Sequence, residues 1–339
     1  MQIITESTLR HIVEQTVMAL GTPADFAPMI AESLVGANLA GHDSHGVLRL
    51  PWYANLIHVG RIQPAARPQV TSSTDATAQV DGMLGWGQPA AYLATDSVIA
   101  LAREHGVGTV VMLRTNHIGR VGAYVEQIAA ANMVGIAFCN ASALVAPFGS
   151  SQRVMGTNPF AWAAPGGPAR PPLVLDFATA IVAEGKLRVA RTKGERLEPG
   201  LIVDANGAPS TNPDDFYNGG ALQAFGLHKG SGLSIMVELM ARGLAHVDHS
   251  LPGVEGYNGT LLLALNIPAL APLEQFMAAS ARLSDQINTA TPRAGVERVL
   301  LPGEPEELAR AERRLHGIPL PDATWAEIVA LAESLGVEV

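Results

Sequence analysis

The chain has 339 residues, of which 48% are hydrophobic, 16% charged and 5% aromatic; this excludes a disordered chain and a charge-rich coiled coil and suits about two domains in one enzyme-sized body. The net charge of −9, from 22 Lys and Arg against 31 Asp and Glu, argues against a nucleic-acid-binding surface but leaves room for a small anion pocket. The single cysteine, Cys139, allows neither an internal disulfide nor a cysteine metal cluster, Glu6 sits where a signal peptide would be apolar, and no apolar run approaches the roughly 18 residues of a membrane helix, so the reading is a reducing, cytoplasmic setting away from membranes.

The first forty residues carry two amphipathic helical patterns, from Thr5 or Glu6 to about Leu20 and from Pro23 to about Leu39, with Gly21 ending the first and Pro23 opening the second. The second runs into the polar cluster Gly41-His42-Asp43-Ser44-His45-Gly46, which is followed by a helix over Leu48–Val59. Residues 69–80 have the composition of a strand bounded by Pro68 and the turn Asp81-Gly82. From Gly87 the pattern alternates: helix to about His105, strand Val107–Leu113, polar turn Arg114–Arg120, helix to Asn132, strand Val134–Cys139. Such alternation signals α/β organisation. Strands are expected near Phe160–Ala164 and Leu173–Phe177, loops and short strands over 186–230, a helix over Gly232–Leu244 and a buried strand over Gly259–Ile267. Helices at about Leu273–Asn288, Pro305–His316 and Thr324–Leu335, with a short strand at Val299–Leu301, close the chain.

No G-x-G-x-x-G links a strand to a helix; the nearest approach, Gly230-Ser231-Gly232, lacks the third glycine. Walker A, nucleophile-elbow and H-E-x-x-H patterns are absent as well. Asp43-Ser44-His45-Gly46 has Arg49 one turn onward. Imidazole moves protons near neutral pH and guanidinium grips a carboxylate with two parallel bonds, so the pair fits catalysis on a small organic acid; a capping serine and a buried structural histidine would use the same residues. The run Asn116-His117-Ile118-Gly119-Arg120-Val121-Gly122 lies between a strand and a helix, with glycines for close backbone approach and a helix N-terminus for a phosphate or carboxylate. A plain strand-to-helix turn could contain the same glycines. Gly156-Thr157-Asn158-Pro159, Asp176-Phe177-Ala178-Thr179 and His228-Lys229-Gly230 bring polar groups to turns and element ends where ligands often sit. A zinc site on His42, His45 and His117 would need further ligands that are not spaced near them, so no metal is assigned; a histidine-metal hydrolase is the alternative from another class.

In combination these pieces resemble the malate/L-lactate dehydrogenase family of non-Rossmann, NAD(P)-dependent oxidoreductases, and within it the hydroxycarboxylate dehydrogenase branch. The match runs in family order through Ala37-Asn38-Leu39-Ala40-Gly41-His42-Asp43-Ser44-His45-Gly46, Asn116-His117-Ile118-Gly119-Arg120, Val145-Ala146-Pro147-Phe148-Gly149, Gly156-Thr157-Asn158-Pro159-Phe160, Asp176-Phe177-Ala178-Thr179, Gly185-Lys186, His228-Lys229-Gly230 and Leu301-Pro302-Gly303-Glu304. The resemblance implies an α/β fold with a predominantly antiparallel nucleotide-binding sheet over residues 76–267, a helical domain in which residues 1–75 pack with 268–339, and a homodimer. It also implies hydride exchange between a nicotinamide, NAD in preference to NADP, and a 2-oxo or 2-hydroxy acid. His45 would be the proton donor in reduction, with Ser44 orienting it. Arg49 would hold the substrate carboxylate beside Asn116, His117, Thr157 and Lys186. Gly119, Arg120, Val121, Asp176, Phe177, Ala178, Thr179, His228, Lys229, Gly303 and Glu304 would line the cofactor. In the cyclic-imine reductases of the family the position of Lys186 can be acidic. Lysine there favours a ketone, which develops negative charge, and makes reduction of Δ1-piperideine- or Δ1-pyrroline-2-carboxylate the alternative.

Overall fold

The structure, a computed structural model, describes residues 1–246 and 257–339. A short strand, β1 (Gln2–Ile4), precedes helix α1 (Glu6–Ala19), which begins where Thr5 Oγ1 accepts the Thr8 N–H at 3.2 Å. Leu9, Ile12, Val13, Thr16 and Val17 recur at helical spacing and are buried to a man against the second helix. That helix, α2 (Ala27–Leu39), starts four residues after Pro23, whose carbonyl accepts from the Phe26 and Ala27 N–H groups and closes a turn first. After two tight 3-10 turns, Asp43–His45 and Val47–Arg49, comes α3 (Leu50–His58).

Strands β2 (Gln69–Ser73) and β3 (Thr77–Asp81) form a hairpin where one strand was expected. Then follow α4 (Gly87–His105), β4 (Val107–Leu113), α5 (Gly122–Ala130), β5 (Met133–Cys139), β6 (Pro159–Ala164) and β7 (Leu173–Ala178). The stretch expected to hold loops and short strands has the two-residue strands β8 (Ile202–Val203), β9 (Pro209–Ser210) and β10 (Ala221–Leu222), and contains α6 (Glu184–Lys193) and α7 (Pro213–Tyr217) besides. Next are α8 (His228–Val237), running on into a wider π-type turn over Glu238–Gly243, and β11 (Thr260–Asn266). Helices α9 (Ile267–Leu270), α10 (Leu273–Asn288) and α11 (Glu304–His316), strand β12 (Ile318–Leu320) and helix α12 (Asp322–Ser334) complete the chain. Val299–Leu301 is not a strand: the Leu301 N–H is taken by the Glu304 carboxylate at 2.6 Å and Pro302 gives β7 a single bond, its carbonyl accepting from Val174.

The large sheet has the order β2-β3-β4-β11-β5-β6-β7 and is mixed. Only β3 and β4 are parallel; every other neighbouring pair is antiparallel. The physical reason is β11, which enters from late in the chain and lies between β4 and β5, antiparallel to both. Flanked on both edges, it reads as a continuous apolar run rather than an alternating one. Helices α4 and α5 cover one face, with Ala90, Ala91, Ala94, Val98 and Ala102 presenting a smooth surface to Val80, Val110, Met112 and Leu262. Contact there is so close that a Cβ on Gly108 would lie 2.4 Å from the Val98 carbonyl oxygen.

A second apolar cluster joins the two chain ends, Leu9, Val13, Ile30, Leu34, Leu50 and Tyr53 packing with Ile318, Leu320 and Ile328. β1 pairs antiparallel with β12 beside it. A third, smaller cluster holds α6, α7 and the short strands together through Val145, Leu187, Ile202, Phe216 and Leu222. Among the described residues no helix is long and apolar enough to cross a membrane.

Candidate active site

The polar turn at 42–46 has little apolar anchorage of its own, and side chains from elsewhere hold it. Asn38, in the last turn of α2, donates from Nδ2 to Asp43 Oδ1 at 2.6 Å and accepts the Val47 N–H at 2.8 Å, bracketing the turn from both sides. The amide passes so close that a Cβ at Gly46 would lie 2.2 Å from Asn38 Oδ1, so only glycine fits. From the far end of the chain, α11 adds two more ties: His42 Nε2 lies 3.0 Å from Glu306 Oε1, and Arg313 holds Asp43 with a two-pronged ion pair at 2.6 and 3.1 Å. Such paired geometry fixes orientation as well as charge.

Held this way, Ser44 Oγ stands 3.0 Å from His45 Nδ1. His45 stacks on His117, with ring centroids 5.7 Å apart and planes at 16°. His117 Nδ1 in turn lies 2.6 Å from the Tyr53 hydroxyl, which also accepts from Gln88 Nε2 at 3.0 Å. Neither histidine has a partner for Nε2 among the described residues. Arg49 is anchored by its Nε, which donates to the Ser44 carbonyl at 2.7 Å, and its guanidinium carbon sits 5.3 Å above the Trp52 ring. Both Nη groups are left without a hydrogen-bond partner among the described residues. The result is two imidazole edges and one guanidinium edge, each oriented from behind and open in front.

Burial, followed by the charges of Arg49, His42 and Arg120, pushes His45 down to about 3. Burial, then Arg49 and His45, hold His117 well below the usual histidine range. Both rings are therefore neutral at ordinary pH. Burial also lowers Arg49, Arg188 adding to that and the Tyr53 and Glu184 oxygens opposing it, but guanidinium stays charged.

The residues expected to line a cofactor converge along β7, although they come from four parts of the chain. Asp176 accepts the Gly122 N–H at 2.7 Å and so draws in the 119–122 turn. Thr179 donates through its N–H and hydroxyl to the Thr157 carbonyl at 2.9 and 3.1 Å, and its own carbonyl accepts from Phe225 at 3.0 Å, two residues before the turn into α8. Val174 bonds Pro302 at 3.0 Å, bringing Gly303 and Glu304 alongside. Phe177 packs on Phe225, His228 and Lys229 are exposed at the uncapped start of α8, and Leu227 before them has the unusual φ of +57°. Gly119 and Gly303 both have positive φ. Val121 is buried in the core of the large sheet, and Ala178 packs against the third apolar cluster. Arg120 is buried and paired with Glu126 at 2.6 Å, which Arg310 also grips at 2.9 Å. Burial raises Asp176, with Arg120 and the Gly122 N–H opposing.

Not every expected contact joins the His45 cluster. Asn116 is buried and spends its amide on the Leu84 and Gly85 carbonyls at 3.0 and 2.8 Å, shaping the loop rather than facing the cleft. Lys186 is exposed in the first turn of α6 and has no polar partner among the described residues. From that helix it is Glu184 and Arg188 that reach the electrostatic surroundings of Arg49. Trp52 and Tyr53 carry no signal in the sequence because aromatics in an apolar helix look like core, and Gln88, in the first turn of α4, belongs to no motif. Glu306 and Arg313 lie some 260 residues from the turn they hold, and no local pattern connects them. Among the described residues no group of three or more His, Cys, Asp or Glu is placed to hold a metal.

Comparison with known proteins gives the family of the chain. The profile of the family described as malate/L-lactate dehydrogenase matches residues 4–329. The malate dehydrogenase of Pyrococcus abyssi is 33% identical over 99% of this chain and 95% of its own length. Hydroxycarboxylate dehydrogenase B of Escherichia coli K12 is 33% identical over 97% of this chain and 93% of its own. The crystal structure of the Δ1-piperideine-2-carboxylate reductase of Pseudomonas syringae superposes with a TM-score of 0.88 at 32% identity, covering 98% of this chain and all of that one. The chain belongs to the malate/L-lactate dehydrogenase family.

Proposed function

We propose that the protein is a nicotinamide-dependent oxidoreductase that interconverts a 2-oxo acid and the corresponding 2-hydroxy acid. The observation that carries this reading is the pair of stacked imidazoles, each engaged at Nδ1 and open at Nε2, beside an Arg49 edge with two free donors. Arg49 binds the substrate carboxylate with a fork of parallel bonds, His45 Nε2 exchanges the proton of the 2-oxygen, and Ser44 orients His45. Thr157, held by Thr179, and His117 complete the substrate side.

The residues along β7 fit a dinucleotide. Arg120 Nη1 is buried with no acceptor among the described residues, and the uncapped N-terminus of α8 with His228 and Lys229 suits phosphate oxygens. Gly119, Arg120, Val121, Asp176, Phe177, Ala178, Thr179, Gly303 and Glu304 would hold the remainder; the bound nicotinamide supplies the hydride. NAD is the preferred form in this reading. Residues 76–267 form the nucleotide-binding domain, and residues 1–75 with 268–339 the helical one. Exposed Ile235, Met236, Leu239 and Leu244, on one stretch of α8 and the turn after it, suit burial against a second copy in a homodimer.

With NADH or NADPH after exhaustive chelation, a panel of 2-oxo acids is expected to include at least one that is reduced. Activity that vanished with chelation and returned with zinc would favour the hydrolase alternative. The cyclic-imine alternative is favoured by the Pseudomonas relative and by Glu184 near Arg49. Against it, Arg188 accompanies Glu184, and the field of Arg49 and Arg120 at His45 favours a reaction that builds negative charge. The best 2-oxo acid should therefore exceed either cyclic imine in kcat/KM.

Arg49→Lys keeps a charge but removes the fork, so KM for the acid should rise about tenfold or more with a smaller change in kcat. Steady-state kinetics on the best acid measure this; an unchanged KM would take Arg49 out of the carboxylate site.

A further inference from the structure

We infer that Tyr53 is a positioning residue that locks His117 as a neutral donor through Nε2–H, leaving His45 as the one histidine of the stacked pair that exchanges a proton. The identity of the ligand rests on the reading just given; the state of the two rings does not.

His117 Nδ1 is surrounded by donors. The Gly119 backbone N–H approaches it at 3.4 Å, and a backbone amide can only donate. Nδ1 therefore carries a lone pair, and the Tyr53 hydroxyl, 2.6 Å away, donates to the same atom. Gln88 Nε2 donates to the phenol oxygen at 3.0 Å, which leaves the phenol hydrogen free to point at the imidazole. Burial raises the Tyr53 pKa, so that hydrogen stays in place. With Nδ1 so occupied, the neutral ring must carry its hydrogen on Nε2, the open nitrogen.

Protonating His117 at Nδ1 would aim a hydrogen at the Gly119 N–H, which cannot turn away, and would force the Tyr53 hydroxyl to reverse. The titratable and charged groups that act on the ring are Arg49, His45 and Tyr53, and none is an anion that would repay the loss. His45 lacks the backbone donor: its Nδ1 partner is the Ser44 hydroxyl at 3.0 Å. A hydroxyl can donate to the neutral ring or rotate to accept from the protonated one. His45 is backed by a reversible hydroxyl alone, and His117 has beside its hydroxyl a backbone donor that cannot reverse. In reduction, then, His117 donates a hydrogen bond to a substrate oxygen and keeps its proton, while the proton that ends on the product oxygen leaves His45 Nε2.

The test is 15N NMR of histidine-labelled protein between pH 5 and 8, with the His117 signals assigned from their loss in His117→Gln. In the wild type His117 is expected to show one protonated and one unprotonated ring nitrogen throughout, without titrating. Tyr53→Phe should shift the Nδ1 resonance and lower kcat/KM for the best 2-oxo acid about tenfold, the scale of one buried hydrogen bond, with NADH affinity changed less than about twofold because Tyr53 touches none of the β7 residues. A His117 that is protonated at Nδ1, or that titrates in this range in the wild type, overturns the lock without recourse to any variant. So does a Tyr53→Phe protein that melts cooperatively but leaves the Nδ1 signal in place. If the NMR behaviour is as expected and no 2-oxo acid is reduced, the lock stands and the dehydrogenase reading fails.

Discussion

His45→Ala is expected to lower kcat for 2-oxo acid reduction by about 10²–10⁴-fold, the usual weight of a positioned acid, with NADH affinity within about twofold of wild type. The split follows from where the ring is tied. Among the described residues the His45 ring bonds only Ser44 and stacks only on His117, whereas the β7 segments are joined to one another through Asp176, Thr179 and Val174. Removing the imidazole deletes the proton donor and leaves those joints intact. Fluorescence titration with NADH and single-turnover reduction separate the two quantities. Turnover within tenfold of wild type across the pH range would show that the proton comes from elsewhere.

The pH dependence should be equally large and confined to one direction of the reaction. Burial and the charges of Arg49, His42 and Arg120 push His45 down to about 3, so above that pH the reactive protonated form falls tenfold with each unit. Reduction needs the protonated ring and oxidation the neutral one. At saturating cofactor, kcat/KM for the 2-oxo acid should therefore fall about tenfold per unit from pH 5 to pH 8, about a thousandfold in all, while kcat/KM for the 2-hydroxy acid stays flat. The overall equilibrium requires the ratio of the two to change tenfold per unit because reduction consumes one proton; the buried environment assigns the whole slope to reduction. A bound carboxylate beside the ring would favour its charged form, so kcat for reduction should hold to higher pH than kcat/KM. An inflection near 6.5 in the oxidation profile would mean that His45 titrates as an ordinary histidine.

Much of this protein is local in origin and was legible in the chain. The helices α1, α4, α10, α11 and α12 follow apolar spacing and nearby stop signals, and β4, β5 and β11 follow short β-branched or aliphatic runs, since each pattern is written over a window shorter than the element's own neighbours. The Ser44-His45 pair with Arg49, and His117 after its strand, stand out in the sequence as side chains suited to proton transfer and carboxylate binding, and the fold brings them together. Boundaries held less well where a short-range bond competed with the pattern: Pro23 closed a turn before α2, and α8 began at His228 instead of Gly232.

Tertiary structure alone decided the rest. The alternation of helix and strand over residues 77–139 leaves β3, β4 and β5 running in the same direction, and β11, more than a hundred residues later, enters between β4 and β5 antiparallel to both and satisfies their open backbone edges. β1 and β12 are too short to register as strands until the chain ends meet. Lys186 shares a helix with Glu184 and Arg188, yet it is the latter two, paired one turn apart on one face, that bear on Arg49, while Lys186 lies about half a turn round the helix and is exposed. The same holds for chemistry: a sequence can contain two histidines suited to proton transfer, but which one is backed by a serine hydroxyl and which by a tyrosine depends on α3 packing against the 116–122 turn. Side-chain identity was therefore local information, while the partner that each ring nitrogen meets came from neighbours that only folding brought within hydrogen-bond distance.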